Sequence, residues 1–105
     1  MTMDDRKKGY ESKFAHDEEL LFRANARRAK LVGLWAAEKM GLSGDAAAAY
    51  AKTVVAADLE EVGDKDLFRK IRADFDKAKV QQSDHQIERH MDELMAVAIE
   101  QIKAG

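Results

Sequence analysis

Metal binding and acid–base catalysis most often draw on histidine, and the chain has three: His16, His85 and His90. On a helix with ~3.6 residues per turn, His85 and His90 stand about 140° apart and share no face. A helical zinc site of the protease type needs histidines four apart with a glutamate beside the first, and that pattern is absent. The three are read as solvated surface side chains, and no metal or cofactor is expected. Ser43 sits in GLSGD, which lacks the G-x-S-x-G turn that exposes a nucleophilic serine. Neither of the glycine-rich loops that cradle phosphates occurs. There is no cysteine, hence no thiolate chemistry and no disulfide framework. The acidic runs DEE at 17–19 and DLEE at 58–61 suit a helix start and a solvated helix face, and Glu19 stands four before Arg23, the favourable order for a helical ion pair. Catalysis is not expected of this chain.

Two other groups could serve recognition. Arg23, Arg27 and Lys30 fall on one face of a helix, with Arg28 beside them. Such a group is either a solvated outer face, its aliphatic stems lying on the core, or a docking face for an acidic partner. Nucleic-acid binding is a third option, weakened by the interleaved acids and the lack of a reading helix. The second group lies in RKKGYESKFAHDEE at 6–19, where Tyr10 and Phe14 are four apart among charges of both signs. This stretch belongs to no apolar stripe, and little rewards its ordering in water. It is either a solvated tail or an arm that becomes helical in a partner's groove. In the second case Tyr10 and Phe14 would be the anchors, with Lys13 and Asp17 flanking them.

The elements that must position these groups are helices. Proline is absent, good helix formers abound, and no alternating run is long enough for a strand. The first helix is predicted from Asp17 to Met40, ending at Gly41, a left-handed cap. Leu21, Ala24, Leu31 and Trp35 form its stripe, widened by Leu20 and Leu34. Gly33 within it either admits a neighbouring helix closely or is merely tolerated. The second follows LSGD, with Ser43 or Asp45 as N-cap, and closes at Gly63. Its inward lines are Tyr50, Val54, Ala57 and Ala51, Val55, Leu59, Val62. The third is short, capped by Asp64, with Leu67, Phe68, Ile71 and Phe75 inward, and stops near Val80. The fourth opens with the capping-box spacing Ser83 to Gln86 and carries Ile87, Met91, Leu94, Ala98 and Ile102, broadened by Met95 and Ile99. Four amphipathic helices joined by short turns are best satisfied by a small bundle. At 105 residues there is room for one core.

The net charge of −2 argues against non-specific nucleic-acid binding, which depends on neutralising phosphates. The start, MTMDDRKKG, lacks the apolar stretch of a secretory signal, and no run approaches the ~18 apolar residues of a membrane span. The fold class is therefore all-α, a small four-helix bundle over 19–105 with a flexible N-terminal arm over 1–18, free of membrane insertion and monomeric when alone.

The segment FAHDEELLFRANARRAKLVGLWAAEKMGL, followed by YAKTVVAADLEEVGDKDLFRKI, resembles the ζ subunit of alphaproteobacterial F1-ATPase. The resemblance covers Arg6 to Phe75 and continues more loosely through the fourth helix. Its most specific pieces are KFAHDEEL, ARRAKLVGLWAAEKMGL and GDKD. Val62 departs from the pattern, which often has proline before the glycine. The resemblance implies a four-helix bundle with a mobile N-terminal inhibitory region, acting on ATP hydrolysis by the F1 sector as the mitochondrial inhibitor protein does on an unrelated fold. It implies that the arm enters a catalytic interface between the α and β subunits, with γ as a further contact, and folds there as a helix. The partner-binding residues would then be Arg6, Lys8, Tyr10, Glu11, Lys13, Phe14 and Asp17, with Arg23 and Arg27 behind them. The location implied is cytoplasmic, peripheral to the inner membrane through F1. The alternative carried beside it is a small nucleotide- or ligand-binding helical bundle without inhibitory activity.

Overall fold

The computed structural model describes residues 18–60 and 65–104. Among these there are four helices and no strand: α1 Glu18–Lys39, α2 Gly44–Glu60, α3 Lys65–Ala78 and α4 Asp84–Ala104. The architecture is the all-α four-helix bundle expected. The cap at Asp64 and the closure at Gly63 lie outside the described residues.

The ends of the helices are set by local chemistry. Gly41 takes a positive φ of 80°, and the amide of Leu42 donates to the Ala37 carbonyl at 2.8 Å while that of Gly41 donates to Glu38 at 3.1 Å. These are the paired bonds of a Schellman close, which satisfy carbonyls the helix leaves open. α3 ends the same way without a glycine. Lys79 holds φ at 58°, and Val80 donates back to Phe75 at 2.9 Å. The helix stops two residues before Val80 because Val80 is the residue that turns back. Ser43 immediately precedes α2, while Asp45 lies in its first turn, where negative charge complements the helix dipole. At α4 the capping box is complete: the Ser83 amide donates to Gln86 Oε1 at 2.8 Å and the Gln86 amide to Ser83 Oγ at 3.1 Å.

α1 is the hub, touching each of the other three helices, whereas among the described residues the backbones of α2 and α4 make no close approach. Arg27 of α1 reaches Gln101 of α4 and Trp35 of α1 reaches His90, so the two helices run antiparallel. The main core gathers Val32 and Ala36 of α1, Val54 of α2, Leu67, Ile71 and Phe75 of α3, and Ile87 and Met91 of α4. A smaller cluster of Ala24 and Ile99, with Leu20, Leu21, Met95 and Ile102 against it, joins the start of α1 to the end of α4. Leu34, expected to widen the α1 stripe, is exposed. The inward arc of α1 is instead made of small residues, among them Ala29, Ala36 and Ala37. Gly33 is where α2 comes closest: a Cβ there would lie 2.8 Å from the Ala51 Cα.

Two polar clusters tie helices together. Tyr50 of α2 donates its hydroxyl to Asp74 of α3 at 2.7 Å, and Lys70 sits 2.9 Å from the same carboxylate oxygen. Arg72 of α3 donates to the Gln82 carbonyl at 2.7 Å and to Asp84 at 3.1 Å, which fixes the turn leading into α4.

Candidate partner-binding face

Among the described residues, the histidines do not form a site. His85 is exposed. His90, expected to be a solvated side chain, stacks on Trp35 with ring centroids 4.3 Å apart and planes 26° from parallel. Trp35 in turn meets Phe75 edge-on at 5.4 Å. The reason is positional: His90 lies one residue before Met91 on α4 and so flanks the core. His16 lies outside the described residues. Among the described residues, no group of three histidine or acidic side chains is placed to hold a metal.

Of the residues assigned to partner binding, Arg6, Lys8, Tyr10, Glu11, Lys13, Phe14 and Asp17 lie outside the described residues. Arg23 and Arg27 are both exposed on α1, and the structure brings them together with Lys30. Arg28, grouped with them by sequence, is only 4% exposed. The 100° step per residue carries it off the face that Arg27 occupies.

The three cations frame a depression of about 470 Å³ across α1, bounded by Val55 of α2 and by Gln101 and Ile102 of α4. Among the described residues, no acidic side chain lines it. Arg27 is held in place, its Nη1 donating to Gln101 Oε1 at 3.2 Å. Phe22 lies at the edge, 58% exposed, which makes it the most exposed large apolar side chain among the described residues. The sequence stripes pass over it because it falls outside that of α1. The signal was available: Phe22, Ala26 and Lys30 repeat at four, next to Arg23 and Arg27.

A second depression, about 580 Å³, lies between α3 and α4, lined by Lys65, Phe68, Arg69, Glu88, Met91 and Asp92. Its charges balance, two basic and two acidic, so it presents no single sign to a partner.

An apolar floor ringed by exposed cations suits a carboxylate-bearing surface, and its described lining holds neither a nucleophile nor an acid–base pair. The fold and this face define a helical, protein-binding bundle. The chain belongs to the ATPase inhibitor subunit zeta family, whose family model matches residues 1–101. The family is one of inhibitor subunits rather than catalytic ones, and membership places the chain's action on an ATPase, at the F1 sector. A protein solved by solution NMR is 46% identical, with a TM-score of 0.70 over 79% of this chain and 94% of that one. No curated protein matches the chain. Among the described residues no helix is long and apolar enough to cross a membrane.

Proposed function

We propose that the chain inhibits ATP hydrolysis by inserting residues 1–18 as a helix at a catalytic interface between α and β subunits of F1, with γ as a further contact. The bundle of residues 19–105 stays outside as stopper and anchor, and the protein is peripheral to the inner membrane through F1. The observation that carries this reading is that the family match begins at residue 1 and includes the whole leading segment.

The physics is that of a wedge. Each catalytic interface must open and close for turnover, and a ligand with higher affinity for one state holds the cycle there. Ordering the segment on binding costs about 2–5 kcal/mol. Tyr10 and Phe14, on one face of the induced helix, bury the aromatic surface that offsets this cost. Arg6, Lys8, Glu11, Lys13 and Asp17 form the charged rim, and Arg23 and Arg27 extend it onto the bundle.

The test is titration of F1 hydrolysis with variants of the full chain. Tyr10→Ala with Phe14→Ala raises the half-inhibitory concentration by about 30-fold or more, the scale of a lost aromatic hot spot. His85→Ala leaves it unchanged. Equal effects of the two variants would remove the anchor assignment.

A further inference from the structure

The depression around Phe22 lies on the bundle, beyond the segment that carries the proposed inhibition. We infer that it is a second docking site for the ATPase, taking an acidic, apolar-tipped segment of the F1 surface beside the point where residues 1–18 enter. The inference rests on the function proposed above and names the part of the enzyme that the bundle itself grips.

The sign of the partner follows from the lining. Arg23, Arg27 and Lys30 line the depression and, among the described residues, no carboxylate does, in a chain whose net charge is −2. The positive charge is therefore local to this face, and it attracts an acidic surface and sets its register. Arg27 is already oriented by its bond to Gln101, so less side-chain freedom is lost on contact. Phe22 supplies an aromatic anchor, with Val55 and Ile102 from α2 and α4 as the apolar floor; aromatic and arginine side chains together are what binding hot spots are made of.

Position selects the partner. Phe22 is four residues beyond Glu18, where α1 begins, about 6 Å along a helix. A partner holding the leading segment therefore stands next to this face, and the second contact forms at high effective concentration. Other occupants fit less well. A second copy joined across a two-fold axis would bring the same cations against one another. The chain's own residues 1–17 carry four basic side chains, Arg6, Lys7, Lys8 and Lys13, against four acidic ones, Asp4, Asp5, Glu11 and Asp17, and so offer no net negative charge.

The experiment measures binding of the full chain to the isolated F1 sector over a range of salt concentrations, with helicity of each variant checked by circular dichroism. Arg23→Gln/Arg27→Gln/Lys30→Gln weakens binding by about 10-fold at low salt and flattens its salt dependence. Phe22→Ser weakens it comparably and leaves the salt dependence as it was. Wild-type affinity and salt dependence in both variants would overturn the inference. So would a concentration-dependent dimer, seen by sedimentation and abolished by Phe22→Ser, since the face would then belong to a second copy. Tyr10→Ala/Phe14→Ala separates the two proposals. If that variant inhibits as strongly as the wild type while the Phe22 and cation variants bind weakly, the docking site stands and the inhibitory segment does not. If the reverse holds, the segment stands and the docking site does not.

Discussion

Single residues set the margins of this fold, and two of them lend themselves to direct measurement. Lys79 closes α3 with φ at 58°, a conformation that costs a residue with a Cβ about 1–2 kcal/mol. Lys79→Gly removes that strain and adds back some unfolded-state freedom, so the net gain is about 0.5–1 kcal/mol. A rise in melting temperature of about 4 °C is the expected result, and no rise would mean the turn is unstrained. The Tyr50–Asp74–Lys70 cluster makes stability depend on pH at both ends. Burial opposes the Asp74 carboxylate, but its bonds from Lys70 and Tyr50 and the charges of Lys70 and Lys77 outweigh this and hold its pKa below the ordinary value. Its contribution is full above about pH 3.9 and is lost as pH falls through the lower folded value. Desolvation, and then Asp74, push the Tyr50 pKa upward. Above about pH 10 the unfolded chain ionises this tyrosine while the folded one keeps its proton, so stability falls with rising pH. Asp74→Asn flattens the acid limb of a stability–pH curve, and Tyr50→Phe removes this alkaline component. Unchanged limbs would show that the cluster is not linked to folding.

At the scale of elements, the contact between α1 and α2 is the most constrained. Gly33→Ala gains about 1 kcal/mol of helix propensity. The new Cβ, however, would meet the Ala51 backbone at 2.8 Å, and overpacking of this kind costs about 1–3 kcal/mol. Because backbone cannot move aside as a flexible side chain does, the second effect wins. A net loss of up to about 2 kcal/mol in denaturant unfolding is expected, and a gain would mean that α2 yields easily. The sequence had left Gly33 undecided because a glycine alone does not say what lies opposite. The capping box of Ser83 and Gln86, the Gly41 close and the α3 face of Leu67, Ile71 and Phe75 were legible because each depends only on local spacing. Leu34 and His90 were misjudged because their environment depends on tertiary packing: α1 buries small residues against α2, and α4 lays His90 on Trp35.

For the whole molecule, the division of labour between a leading segment and a bundle is the central proposal. Part of the candidate site was legible: Arg23 and Arg27 were assigned to a partner and share one face with Lys30. Phe22 was passed over, although its place outside the α1 stripe and its spacing with Ala26 and Lys30 signal an outward position; Val55 and Ile102 pack against the core as their stripes predict and also border the depression. That face is assembled from three helices, so no one stretch of sequence contains it. The most direct measurement compares the full chain with a version lacking residues 2–17, in F1 hydrolysis assays and in thermal melting. The account predicts the same total helical content and the same melting temperature for both proteins, with inhibition lost in the shortened one. Inhibition by the shortened chain equal to that of the full chain would contradict it.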